Sequence, residues 1–142
     1  MKQNIRAVYS SDYGYIAVPL DSTAAMEYIG YIATWDVGPG TGVDITSMAT
    51  TNEAFGYIHG AGDLGSIGSL ATHSTGISNA VRLFSAQSAI CALRSDRTVI
   101  CFGRDGYGSE APANLQNVLN IASNYYAFAA LIDGGTVIAW GK

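Results

Sequence analysis

At 142 residues, with 49% hydrophobic and only 13% charged residues, the chain has the size of one ordinary domain and enough apolar content to exclude a disordered one. Seventeen Gly and nine Tyr, beside few Lys and Glu, favour strands and tight turns over helices. A net charge of −4 and a pI near 4.8 argue against nucleic acid as a partner, because phosphate contacts need clustered Lys and Arg.

The N-terminus, MKQNIRAVYSSDYGYIAV, holds no apolar segment of signal-peptide type. No apolar run approaches the roughly 20 residues that span a bilayer. A soluble chain without membrane insertion is expected, secreted only if it belongs to a longer exported protein.

From Ile5, IRAVYS leads through the turn Ser10-Ser11-Asp12-Tyr13 to GYIAV, and a closing strand reads GYIATW, ending at Trp35. Gly38-Pro39-Gly40-Thr41-Gly42 lacks the Lys-Ser/Thr of a phosphate cradle and reads as a linker turn. ITSMATTNEAFGYIHG, from Ile45, repeats the pattern around Thr50-Thr51-Asn52-Glu53, with a closing strand GSLATH ending at His73. Gly60-Ala61-Gly62-Asp63-Leu64-Gly65 matches the dinucleotide pattern G-x-G-x-x-G. That motif needs a following helix, whereas SIGSLATH reads as a strand, so a hairpin turn is expected. AVRLFSAQSAICALRSDRTVICFGR, Ala80 to Arg104, carries the turn Ser85-Ala86-Gln87-Ser88. VLNIASNYYAFAALIDGGTVIAWGK, Val118 to Lys142, carries Ser123-Asn124-Tyr125-Tyr126 and the hairpin signal Asp133-Gly134.

The last two segments align without a gap at an offset of 38 residues. Ile121 matches Leu83, Phe128 matches Ile90, Leu131 matches Leu93, and Trp140-Gly141 matches Phe102-Gly103. Met48, Thr50, Phe55 and Ile58 occupy the Ile121, Ser123, Phe128 and Leu131 places, as do Val8, Ser10, Tyr15 and Val18. The Trp-Gly pair then falls on Trp35-Asp36 and His73-Ser74 in the first two copies. Residues 1–142 are thus one repeat domain, with approximate repeats 5–44, 45–79, 80–117 and 118–142. Each copy reads strand, turn, strand, tight turn, strand. Small Ala between the apolar positions predicts that both sheet faces are buried. Three-stranded units of about 35–40 residues that bury two faces only by stacking indicate blades of an all-β propeller.

AFAALIDGGTVIAWG preceded by VLNIAS resembles the repeats of the regulator of chromosome condensation family, most of all its bacterial members of the β-lactamase inhibitor protein II type. GRDGYGSEAP, Gly103 to Pro112, resembles the family's loop after the Trp-Gly strand. The resemblance implies a ring of about seven blades that serves as a rigid platform for binding proteins. Four copies fall short of such a ring, and no strand follows Gly141 to complete a last blade. The expected solution is self-association, a homodimer joined through open blade edges into a ring of about eight blades. The alternative is a piece of a longer protein.

Cys91 and Cys101 stand where the last repeat has Ala129 and Ala139, so buried free thiols are expected over a disulfide. His59, His73 and Asp63 lack a convincing metal-ligand spacing, and no nucleophile-base pattern or spaced carboxylate pair suggests catalysis. No cofactor is expected. Arg82, Arg94, Arg97 and Arg104 share one stretch and read as scattered solubilising charges. The turns between first and second strands line up on one end of a ring. Exposed Tyr beside Asp and Asn there is binding-surface chemistry. The candidate binding residues are Asp12, Tyr13, Asn52, Glu53, Asp105, Tyr107, Tyr125 and Tyr126. They suit a non-catalytic protein-binding module; the alternatives are a self-assembling structural fragment and a carbohydrate-binding surface.

Overall fold

Runs of Val, Ile, Tyr and Ala cut by Gly, Asn and Asp suit short strands and poorly sustain helices. The computed structural model describes residues 4–30, 44–70 and 76–142, and there these runs form four three-stranded sheets. The first holds β1 (Ile5–Ser10), β2 (Gly14–Pro19) and β3 (Glu27–Gly30). The second holds β4 (Ile45–Thr50), β5 (Ala54–His59) and β6 (Asp63–Gly68). The third holds β7 (Ala80–Ser85), β8 (Ala89–Arg94) and β9 (Val99–Gly103), and the fourth β10 (Val118–Ser123), β11 (Ala127–Ile132) and β12 (Val137–Gly141). Every sheet is an antiparallel meander in chain order. No helix among the described residues is long and apolar enough to cross a membrane.

The four sheets share defects as well as order. The ladder slips once in each first strand, at Ile5/Ala7, Ile45/Ser47, Ala80/Arg82 and Val118/Asn120. Such a bulge twists the strand locally. Asn4, Asn79 and Asn117 precede three of these strands at φ 68, 60 and 56, a left-handed region that Asn tolerates. Their carbonyls accept bonds from the backbone N–H of Leu20, Ser95 and Asp133 at 2.6, 2.9 and 2.9 Å, which ties the start of each sheet to its second turn.

The register corrects the expected closing strands. Phe128 opposes Trp140, Ile90 opposes Phe102, Phe55 opposes Ile67 and Tyr15 opposes Ile29. The Trp-Gly pair therefore corresponds to Ile67-Gly68 and Ile29-Gly30, not to His73-Ser74 and Trp35-Asp36. The third strand of the second sheet is DLGSIG rather than GSLATH. Trp35, Asp36, His73, Ser74 and the 38–42 turn lie outside the described residues. The true constant is the glycine. At Gly103 (φ 141) a Cβ would stand 2.5 Å from the Ser88 carbonyl oxygen, and at Gly141 (φ 109) 2.4 Å from that of Tyr126. Only a residue without a side chain can close the sheet against its first turn. Gly60 to Gly62 do form a turn, and Asp63 onward is a strand, as expected.

The sheets stack in a row, and the core lies between them. Ile16 and Val18 of the first sheet meet Phe55 and Ile67 of the second. Ile58 and Leu64 of the second meet Ile90 and Phe102 of the third. Cys91 and Leu93 of the third meet Ile121, Phe128 and Trp140 of the fourth. Burial of both faces thus holds for the two middle sheets and fails for the outer ones, which have a neighbour on one side only. Val8, Tyr15 and Ile29 stay exposed at one end of the row, Leu131 and Val137 at the other.

Cys91 and Cys101 are bonded to each other, which corrects the expectation of free thiols. They are direct ladder partners on β8 and β9, so their side chains leave the sheet on the same face. The Ala-like position that suggested a small buried thiol is also a cross-strand pair position.

Candidate binding surface

The turns between first and second strands are built alike. Ser11, Thr51, Ala86 and Asn124 donate their backbone N–H to the carbonyl of the residue three further on, at 2.8 to 3.0 Å. Side chains reinforce this. Thr51 Oγ1 donates to the Ala54 carbonyl at 3.2 Å, and Asn124 Oδ1 accepts from the N–H of Tyr126 and Ala127 at 2.9 and 2.8 Å. The structural weight therefore rests on the second residue of each turn. Ser123, the first, instead donates its hydroxyl to the Ser85 carbonyl of the neighbouring sheet at 2.7 Å.

Neighbouring turns are tied into a rim. The N–H of Asn52 donates to the Gln87 carbonyl at 2.9 Å, and that of Gln87 to the Tyr125 carbonyl at 3.0 Å. Gln87 Nε2 also donates to the Tyr125 hydroxyl, and Ser88 Oγ to Asn52 Oδ1 at 3.3 Å. A cavity of about 280 Å³ runs under Asp12, Asn52, Gln87 and Tyr125. Another of about 380 Å³, between the second and third sheets, is lined by Asn52, Glu53, Ser88, Arg104 and Asp105.

The aromatic part lies over the fourth sheet. Tyr125 and Tyr126 meet edge to face at 4.5 Å, and Tyr126 lies 5.7 Å from Tyr107. Arg104 and Lys142 Nζ sit 5.3 and 5.8 Å from the Tyr107 ring centroid. Tyr13, Tyr125 and Tyr126 are exposed, whereas Tyr107 is half-buried against the core between the third and fourth sheets. The Tyr125 phenol is held above its ordinary pKa, first by partial desolvation, then by Tyr126, Asp12, Tyr107 and Tyr13 around it.

The eight candidate binding residues thus fall into two linked groups. Asn52, Glu53 and Asp105 share the larger cavity; Tyr107, Tyr125 and Tyr126 form the tyrosine cluster, Asp12 lines the smaller cavity with Tyr125, and Tyr13 is exposed beside Asp12 in the same turn. Sequence reasoning missed Gln87, the link between them, and the cations Arg104 and Lys142. The turn frame already placed Gln87 beside Tyr125; its neutral amide drew no notice. The other arginines of that stretch lie elsewhere: Arg97 pairs with Asp133 at 3.8 Å, and Arg82 faces Asn120 and Phe84. His59 opposes Asp63 and stacks near Tyr57, and no group of three His, Cys, Asp or Glu among the described residues could hold a metal.

The architecture matches solved structures. Over its whole length the chain superposes on the CRINKLY WD40 ectodomain of the Arabidopsis thaliana receptor kinase ACR4, with a TM-score of 0.72, 13% identity and 52% of that chain covered. These sheets are the blades of a β-propeller. Over 96% of its length the chain matches the ectodomain of the Physcomitrella patens receptor kinase CR4 (TM-score 0.69, 18% identity, 40% of that chain). Over 97% it matches Prp20p from Saccharomyces cerevisiae (0.68, 12%, 43%). It therefore spans about half the length of these propellers. No family model and no curated protein matches the sequence. In blade terms, the candidate surface is the end of the propeller where first and second strands meet.

Proposed function

We propose that this propeller segment is a non-catalytic module that binds a protein through the turn end of its blades. The carrying observation is the rim in which Asn52 and Gln87 lead by hydrogen bonds to the exposed tyrosines 125 and 126, over a cavity that Asp12 also lines. Tyr offers large, stiff, amphipathic contact area, and the flanking acids and amides supply orientation. Prp20p, a propeller of similar fold, is described with binding to Gsp1p and histones. A net charge of −4 points this chain toward partners other than those of nucleic-acid-like or acidic character. The repeat resemblance to the bacterial regulator of chromosome condensation type belongs to the same reading. The Cys91–Cys101 bond favours an oxidising compartment and so supports export.

The test is a protein array and a glycan array probed with the wild-type chain and with the double variant Tyr125→Ala, Tyr126→Ala. The variant should keep its far-UV spectrum and lose a protein signal at least tenfold. A signal that survives removes the tyrosines from the site, and one confined to the glycan array replaces protein with carbohydrate. A second reading, self-assembly, rests on a separate observation: the outward faces of the first and fourth blades are apolar and uncovered.

A further inference from the structure

We propose that self-assembly, if that reading holds, proceeds head to tail: the outward face of the fourth blade of one copy packs on the outward face of the first blade of a second copy. Each blade has a leading face, turned to the blade before it, and a trailing face, turned to the blade after. Ladder register identifies equivalent positions on both. On leading faces Phe55, Ile90 and Phe128 are 0%, 0% and 1% exposed, but Tyr15, at the same place in the first blade, is 57% exposed. Likewise Ile67, Phe102 and Trp140 are buried, and Ile29 is 66% exposed. On trailing faces Val18, Ile58 and Leu93 are buried, while Leu131 of the fourth blade is 39% exposed. Leu64 is buried, and Val137, its equivalent, is 62% exposed.

Each open face is therefore one half of an interface that the chain builds internally between every pair of successive blades. The halves differ in shape. Leading faces carry large side chains at this place, and the trailing faces of the second and fourth blades have only Gly56 and Ala129 at the centre. Within the chain, a Cβ on Gly56 would lie 2.8 Å from Ile90 Cδ1 and 3.8 Å from Leu83 Cδ1, so large leading residues sit directly over that small trailing one. Ala129 takes the place of Gly56, Tyr15 that of Ile90 and Val8 that of Leu83. The trailing face of the fourth blade accordingly has an apolar hollow of about 260 Å³ among Ala122, Ala127, Ala129 and Ala139. Tyr15 and Val8 of the next copy fill it. Two trailing faces would meet hollow to hollow, and two leading faces ridge to ridge.

A second copy suits this junction on size. The chain covers 52% of the ACR4 ectodomain chain, so two copies match the length of that propeller chain. Two copies supply about eight blades, within the range of propellers, and their two identical junctions close on each other. The contact is through faces. Among the described residues the third strand is the outer edge of every sheet, so edges do not distinguish the end blades from the middle ones.

Light scattering on the chain at micromolar concentration should give twice its mass of 14.8 kDa. Tyr15→Arg and Leu131→Arg, both at exposed positions, should each halve that mass with an unchanged far-UV spectrum. Polarity is read by oxidative cross-linking. A mixture of Ala129→Cys and Tyr15→Cys chains should give a covalent dimer, and neither variant alone should. A monomeric wild type overturns self-assembly and this inference together. A dimer in which Ala129→Cys cross-links to itself, or in which the mixture fails to cross-link, overturns only the head-to-tail arrangement.

Discussion

Replacing Phe128 and Tyr15 by Ala, one at a time, compares one position of the repeat in two settings. Phe128 opposes Ser123 and Tyr15 opposes Ser10, so the two side chains leave their sheets at the same point. Phe128 is 1% exposed and stacks on Trp140 at 5.7 Å. Truncating a buried Phe costs about 3–5 kcal/mol, the lost transfer energy plus the cavity left behind. Of this, about 0.5–1.5 kcal/mol is the aromatic pair itself. Tyr15 stands open, so its loss from an isolated chain should cost within about 0.5 kcal/mol. The assay is urea unfolding followed by far-UV circular dichroism, at a dilution where copies separate. At higher concentration the Tyr15→Ala penalty should grow, because a second copy then stabilises only the wild type by mass action. Equal penalties for both variants in dilute solution would refute the claim that the first blade's face is open.

Other outcomes follow from single contacts. The unreduced, denatured protein should show no free thiol, and reduction should lower its stability by about 2–3 kcal/mol for so short a loop; two reactive thiols before reduction would undo the pairing. Gly103→Ala should cost more than about 1 kcal/mol, since both its φ of 141 and the nearby Ser88 carbonyl oppose a Cβ; an unchanged melting temperature would show that glycine is not required there. Asp96 is held below the usual carboxylate range, first by the Thr98 hydroxyl at 2.6 Å and then by the Thr98 N–H. A depressed folded pKa contributes stability that is complete above the unfolded value and lost as pH falls through the folded one. The stability gap between wild type and Asp96→Asn should therefore shrink below about pH 4; a gap unchanged down to about pH 2 would argue against the Thr98 contact.

First and second strands were legible in all four copies because strand length, turn residues and the Ser10, Thr50, Ser85 and Ser123 places coincide. Third strands were legible only in the last two copies. Their frame was anchored on a large aromatic, and Trp35 and His73 offered one six residues beyond Ile29 and Ile67. The physical anchor is the positive-φ glycine against the first turn, and it would have selected Gly30 and Gly68. Connection lengths hid this: residues 20–26 join β2 to β3, whereas residues 60–62 join β5 to β6. The Asn before the first strand, at 4, 79 and 117, was in plain view and unused. The disulfide was readable too, because matching Cys91 and Cys101 to Ala129 and Ala139 puts them opposite each other across a hairpin. The alanine equivalents favoured small buried thiols over the pairing that the same hairpin allows. The rim was legible in part, since turn position is set by the repeat, but bonds between turns depend on blade spacing, which no local pattern carries.

The proposed binding and assembly surfaces lie on different parts of each blade, and this makes the two proposals separable. The rim residues Asn52, Gln87 and Tyr125 sit at strand ends, while Tyr15, Ile29, Leu131 and Val137 lie on sheet faces. In the chain, Asn52 donates to Gln87 and Gln87 donates to Tyr125. In a head-to-tail ring the next turn in that series is the Asp12 turn of the second copy, so the rim would run across the junction. Tyr15→Arg should then break the ring yet leave Tyr125 and Tyr126 exposed in each separated chain. A partner that contacts one chain alone should bind this variant with affinity within about threefold of wild type, a difference under about 0.7 kcal/mol. A loss of a hundredfold or more, with fold intact, would show instead that the binding surface is made by two chains.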